Sequence, residues 1–342
     1  LRTIAAMGLS YDDAAKDSAL APLRGRSDFA AVLLAMAANK TPISHATSVA
    51  ALDDPDLLTE DVAYDPTDHT FYVSSIHRRK VVSLKKGIPP VTFATTQLAP
   101  MALIVDAKRH TLWVSVAGMP QAEGHQPADS TRSGVLKYDL TTRRQIAHYD
   151  LPATDGKQHV LGDMTLDAAG NVIVSDGASA GVYEIDRDRG VLSALIPPGT
   201  FQSPQNPAVA ADGQILVADY AMGVAKIDPS THAVSWIAHA DTVALNGIDG
   251  MYLVGHVLYA IQNGTAPERV TRFVLDPDLR RVVDWSVVER ATPGLGDPTH
   301  GVVVGNEFYF LANSGWDRFA DDGHITNPKG APARLEKVDL RP

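Results

Sequence analysis

The sequence predicts an all-β fold, a six-bladed β-propeller with a short N-terminal helical extension. One observation is a strand that recurs six times, as KVVSL (80–84), GVLKYD (134–139), GVYEID (181–186), GVAKID (223–228), RVTRFVLD (269–276) and RLEKVD (334–339). A second is the strand that precedes each of them: TFYVSS (70–75), TLWVSV (111–116), NVIVSD (171–176), QILVAD (214–219), VLYAIQ (257–262) and EFYFLA (307–312). A third is the spacing. Units of roughly 40 to 60 residues, each made of alternating apolar strands separated by turn residues, have the length of a propeller blade and are too strand-rich for helical repeats.

Five of the six recurring strands close on Asp, which invites a ligand reading. Asp186-Arg187-Asp188, Asp228-Pro229-Ser230-Thr231 and Asp276-Pro277-Asp278 instead have the composition of turn initiators. There the carboxylate accepts backbone N–H groups two or three residues on.

Ahead of the repeat, Ser27 followed by Phe29, Val32, Leu33 and Met36 predicts an N-cap and an amphipathic helix over 28–39, ended before Pro42. A shorter helix is expected over 11–22, and Leu1–Met7 reads as the end of another. This divides the chain into an extension, 1–41, and a propeller, 42–342. The alternating segment 45–52 has no partner nearby in sequence, while the last blade lacks the fourth strand that 146–149, 191–195 and 234–237 give blades 2, 3 and 4. Segment 45–52 is therefore expected to close the ring as the outer strand of the last blade, leaving no long open edge.

Composition fits a soluble protein with one large core: 342 residues, 45% hydrophobic and 20% charged, with no apolar run of membrane-spanning length. The absence of Cys removes disulfides and thiolate chemistry. A net charge of −10 argues against a nucleic-acid partner. The chain starts at Leu1, as after removal of a signal peptide, which favours a periplasmic or secreted location without deciding it. The helices of the extension are expected to pack on the propeller or on a partner.

Chemistry in a propeller sits where the innermost strands open onto the central channel. Those openings carry Glu60, Pro100 and Met101, Asp163, Asn206, Asn246 and Asp249, and Asp297 and His300. Carboxylates with neutral oxygens form the donor set of a Ca²⁺ site. Taken singly, each Asp or Asn is better explained as a loop cap; their coincidence around one axis is what suggests a shared ion or ligand.

The segments TEDVAYD (59–65), LGDMTLDAAGNVIVSD (161–176), PQNPAVAADGQILVADY (204–220) and LNGIDGMYLVGHVLYAIQNG (245–264) resemble the SMP-30/gluconolactonase family of six-bladed propellers, and more distantly paraoxonases and strictosidine-synthase-like proteins. The resemblance covers roughly residues 55–340. It implies a divalent cation, most simply Ca²⁺, held by Glu60, Asp163, Asn206 and Asn246, and hydrolysis of a lactone or related ester. The sequence departs from the family pattern at Gly162, where Asn is usual, and at Asn206-Pro207, where Asn-Gly is usual, so that Gln205 competes with Asn206 for the inward position. Asn246-Gly247 matches directly, with Asp249 two residues further on.

His300 is the one His among the openings and is a candidate general base; Asp249 is its rival. No G-x-S-x-G elbow is present, which argues against an acyl-enzyme. Two long loops, 117–133 and 313–333, carry His125, Trp316, Phe319 and His324 and read as a lid and specificity wall. Met101, Asn263, Asn313, Trp316 and His77 are the expected substrate contacts. Two other readings stay open: a non-catalytic ligand-binding or interaction propeller, and a metal-free cyclising enzyme of the strictosidine-synthase-like kind.

Overall fold

The computed structural model describes residues 1–151 and 158–340. Its strands form six four-stranded antiparallel sheets. Strand β1 (Thr47–Ala51) precedes the first blade, β2 to β5 (Thr59–Asp65, Thr70–Ser75, Lys80–Lys85, Ile88–Thr95). The second blade is β6 to β9 (Ala99–Asp106, Thr111–Ala117, Ser133–Asp139, Gln145–Leu151), and the third β10 to β13 (Leu161–Leu166, Val172–Asp176, Gly181–Asp186, Val191–Ile196). The fourth is β14 to β17 (Pro204–Val209, Ile215–Asp219, Gly223–Ile227, Val234–Trp236), and the fifth β18 to β21 (Met251–Val254, Val257–Gln262, Arg269–Leu275, Val282–Arg290). The sixth combines β22, β23 and β24 (Gly301–Val304, Glu307–Ala312, Arg334–Asp339) with β1 from the opposite end of the chain.

The closure expected of 45–52 is thus made by β1, which runs antiparallel to β24 with Thr47 opposite Lys337 and Ala51 opposite Arg334. Pairing the first strand with the last converts a chain of separate sheets into a ring without a free radial edge. Neighbouring blades bury their alternate apolar positions against each other. Leu112, Val114 and Leu136 of the second blade pack on Ala63, Tyr72 and Val81 of the first, and Leu311 and Leu335 of the sixth pack on Val62 and Val73. Each such fully buried side chain contributes about 1.5–3 kcal/mol relative to an exposed one. Asp139, Asp186, Asp228 and Asp276, at the ends of third strands, act locally, as expected. Asp228 Oδ1 accepts the Ser230 and Thr231 N–H groups at 2.9 Å each, and Asp139 and Asp186 do the same for Thr142 and for Asp188 and Arg189.

The N-terminal extension contains α1 (Arg2–Ala6) and α2 (Ser27–Ala38). Ser27 is the first residue of α2 rather than its cap, since Arg26 occupies the cap position without a side-chain bond. Over 11–22 the expected helix is replaced by turns and a short 3₁₀ helix, Ser18–Leu23, with Pro22 inside it. A proline there cannot supply the N–H that a longer α-helix needs. The extension is seated on the fifth blade: Ser10 N–H donates to Ala266 O at 2.6 Å, and Arg269 Nη1 to Met7 O at 2.8 Å. Phe29 and Met36 of α2 are buried, while Leu34 is 73% exposed. Among the described residues, no helix is long and apolar enough to cross a membrane.

Candidate functional site

The innermost strands of four blades share one irregularity. In β2, β6, β10 and β14 the register against the next strand breaks between Thr59 and Val62, Pro100 and Leu103, Leu161 and Met164, and Pro204 and Pro207. Two residues therefore face one, which is a β-bulge. The bulged pairs are Glu60-Asp61, Met101-Ala102, Gly162-Asp163 and Gln205-Asn206. In the fifth and sixth blades, Asp249-Gly250 and Thr299-His300 lie against Ile261 and Leu311 in the same arrangement. A bulge re-aims consecutive side chains, so that residues such as Glu60, Asp61 and Asp163 need not alternate between faces.

Serine hydroxyls steady three of these bulges. Ser74 Oγ accepts from Asp61 N–H at 2.9 Å, Ser115 Oγ from Ala102 N–H at 2.9 Å, and Ser175 Oγ from Asp163 N–H at 3.3 Å.

Glu60, Asp249 and His300 converge, with ligand atoms all within 4.8 Å of one another. Asp163 joins them, its Oδ1 lying 2.9 Å from His300 Nε2. All four residues are buried, His300 completely. The other ring nitrogen, Nδ1, donates to the Glu60 carbonyl at 3.2 Å. Nε2 is close to Asp163 but off the direction of a hydrogen bond, and has no hydrogen-bond partner. Trp316 Nε1 donates to Glu60 Oε2 at 2.6 Å. Asn263 Nδ2 donates to Asp249 Oδ2 at 2.7 Å, while Tyr220 O–H donates to Asn263 Oδ1 at 3.0 Å. The two clustered acids are thus each held by a donor from a neighbouring loop.

Electrostatics at this point are dominated by burial. Burial and the nearby Asp249 carboxylate push Glu60 well above the usual carboxylate range, against the opposing pull of His300. Burial likewise pushes Asp249 up to about 6, opposed by His300 and by the Asn263 hydrogen bond. For His300, burial favours the neutral ring, but Asp163 and Asp249 outweigh it and hold its pKa well above the ordinary value. Buried carboxylates crowded together against a ring nitrogen with no hydrogen-bond partner form a donor set that a divalent cation fits, because the ion would supply the positive charge they lack.

The remaining expected site residues divide. Asn206 is buried next to Asp249, its Oδ1 accepting Met251 N–H at 3.4 Å. Asn246 is exposed, and of its polar groups it is the main-chain carbonyl that is engaged, accepting from Gln262 Nε2 at 2.8 Å; none of its contacts joins it to the cluster. Met101 is buried in an apolar group with Leu58, Ile76, Ala122 and Phe319, against which Trp316 packs. His77 Nδ1 donates to Gln121 O, 2.7 Å away, and its ring lies 5.0 Å from that of Phe319. Asn313 uses its amide N–H groups on the carbonyls of Ala331 and Pro332, so it fastens the 313–333 loop.

The two long loops meet. Gln121 Nε2 donates to Ala320 O at 3.2 Å, and at Gly323, where φ is +88°, a Cβ would come 2.0 Å from Pro120 O. That contact demands glycine both for space and for backbone conformation.

Sequence reasoning missed Asp61, whose Oδ1 and Oδ2 accept the Val62 and Leu103 N–H groups at 2.7 Å each. Burial pushes it up to about 7. It lines a channel cavity of about 210 Å³ together with Asn206, Met164 and Tyr252. The signal was the recurrent Ser in VSS, VSV and VSD, which marks the bulge and hence the second residue of each pair. Tyr220 was missed as well, and nothing in the sequence marks its reach to Asn263.

No protein-family model and no curated protein matches the sequence. Solved structures do match in fold. Regucalcin from Agrobacterium tumefaciens, described as a calcium-binding protein, superimposes with a TM-score of 0.58 at 17% identity, over 86% of this chain and 95% of its own. A gluconolactonase from Xanthomonas campestris gives 0.57 at 14% identity, over 85% and 89%. A PQQ-bound aldose sugar dehydrogenase from Streptomyces coelicolor gives 0.57 at 10% identity, over 87% and 99%. At such identities the likeness is one of architecture, and the chain has the six-bladed propeller fold that gluconolactonase and regucalcin share.

Proposed function

We propose that the protein is a metal-dependent hydrolase of a lactone or related ester, acting at the channel mouth. The observation that carries this reading is the convergence of Glu60, Asp249 and His300 donor atoms within 4.8 Å, on three blades far apart in sequence. Gluconolactonase and regucalcin among the structural neighbours support it. Glu60, Asp163 and His300 would hold one divalent cation, with Asp249 and Asn206 beside them. The oxygen donors and the regucalcin likeness suit Ca²⁺, whereas the imidazole of His300 does not.

When bound, the cation supplies Lewis acidity that polarises the ester carbonyl and offsets the charge developing on its oxygen. Asp249 is the group proposed to accept the proton of the attacking water. Asn263 holds one of its carboxylate oxygens, leaving the other to face the cluster. His300 is the less suitable base, because its Nε2 faces the acids and would be taken up by the cation. Met101, Trp316 and Phe319 form the apolar side of the mouth, with His77 next to them. This wall suits the carbon skeleton of the substrate.

The test is a panel of lactones and aryl esters assayed with added divalent cations and again after chelation. Hydrolysis that chelation abolishes and metal restores is expected. Turnover indifferent to chelation, or none on any substrate when the protein is demonstrably metal-loaded, would sink the proposal.

A further inference from the structure

Resting on the cation site just proposed, we infer that His300 Nε2 is itself a metal ligand and that the site therefore takes an imidazole-accepting ion, Mn²⁺ or Zn²⁺, in preference to Ca²⁺. Three observations carry it.

The first is the tautomer. His300 Nδ1 faces a backbone carbonyl, Glu60 O, at 3.2 Å. A carbonyl only accepts, so Nδ1 must carry hydrogen, and in the neutral ring the lone pair is then on Nε2. This is how metal-binding histidines are oriented, with the distal nitrogen fixed by a carbonyl and the other left bare.

The second is the state of Nε2. It is fully buried and has no hydrogen-bond partner among the described residues, although it is aimed at the acids. Its contact with the Asp163 carboxylate is a poorly directed electrostatic one, and a cation held by both groups would replace it.

The third is spacing. Nε2 and Asp163 Oδ1 are 2.9 Å apart, about the separation of two adjacent ligands on an ion bound at about 2.1 Å. Ca²⁺ takes oxygen ligands throughout. Imidazole together with carboxylate suits the transition-series and zinc ions.

Cation binding to the full chain, measured by equilibrium dialysis with metal analysis, is expected to favour Mn²⁺ and Zn²⁺ over Ca²⁺ by about tenfold or more. In the Mn²⁺-loaded protein, pulsed electron paramagnetic resonance should show ¹⁴N coupling from a directly bound imidazole. His300→Gln keeps a neutral oxygen donor, so it should weaken Mn²⁺ by about 10- to 100-fold while leaving Ca²⁺ within about threefold. The resonance experiment needs only the wild-type protein and decides the question even if the variant fails to fold. Mn²⁺ bound without ¹⁴N coupling, or Ca²⁺ bound more tightly than Mn²⁺, overturns this inference and leaves the hydrolase reading standing. Failure of every cation to bind overturns both.

Discussion

Trp316 Nε1 donates to Glu60 Oε2 at 2.6 Å across 256 residues of sequence, so the longest loop of the sixth blade is fastened directly to an acid of the first. This bond orients a buried carboxylate that burial otherwise pushes towards its neutral form. Trp316→Phe keeps most of the ring in place against Met101 and removes only the donor. A loss in cation affinity of about tenfold is expected, with the melting temperature nearly unchanged. Calorimetric titration of the variant against wild type checks it, and equal affinities would show that the bond orients nothing.

Glu60→Gln removes one full negative charge from the cluster while keeping the side-chain shape. Because Glu60, Asp249 and His300 meet within 4.8 Å, metal content after exhaustive dialysis should fall to half or less of the wild-type value. Unchanged content would remove Glu60 from the ligand set.

Asp249→Asn should lower turnover on a hydrolysable ester by about 10²- to 10⁴-fold if Asp249 is the base. His300→Ala is expected to act through metal content, so excess cation should recover part of its activity. If the His300 variant is dead at full metal occupancy and the Asp249 variant active, the base is His300.

Asn263→Leu tests the electrostatics of the same carboxylate. The Asn263 hydrogen bond is one of the influences that lower the Asp249 pKa, against burial that lifts it to about 6. Without that bond the ionised form loses a donor, so the acidic limb of the rate profile should move to higher pH, by about one unit. A limb that stays in place or moves down would separate Asn263 from the titrating group.

Asp61→Asn should change how stability depends on pH in the chelator-treated protein. Burial raises Asp61 from an ordinary 3.8 to about 7, so the native state binds more protons than the unfolded chain between those values. The stability this confers is complete below about pH 4, falls as pH rises to about 7, and is level beyond. The difference amounts to at most about 4 kcal/mol. The variant cannot lose it, although it forfeits one of the two backbone contacts at Val62 and Leu103. Its melting temperature should thus be lower than wild type at pH 4 and gain on it steadily to pH 7. A constant difference across that range would refute the shifted carboxylate.

The amino-acid sequence by itself determined the six blades, the outer strand donated by 47–51, the Asp turns and helix α2. Each depends on alternation, turn chemistry or helical period within a few tens of residues, and such short-range patterns can be read directly along the chain. Candidate inner residues were legible too, since Glu60 and Asp163 open recognisable strands and Asp249 and His300 just precede them. Which of them meet was decided by tertiary structure. Two-against-one bulges turn Asp61 and Asp163 inward from positions that simple alternation leaves ambiguous, and Asn246, immediately before Gly247, remains exposed. His300 and Glu60 are 240 positions apart, and their contact at 3.2 Å exists only because the ring closes. Closure angles and bulge geometry follow from the packing of all six blades together, so no local stretch of sequence encodes them.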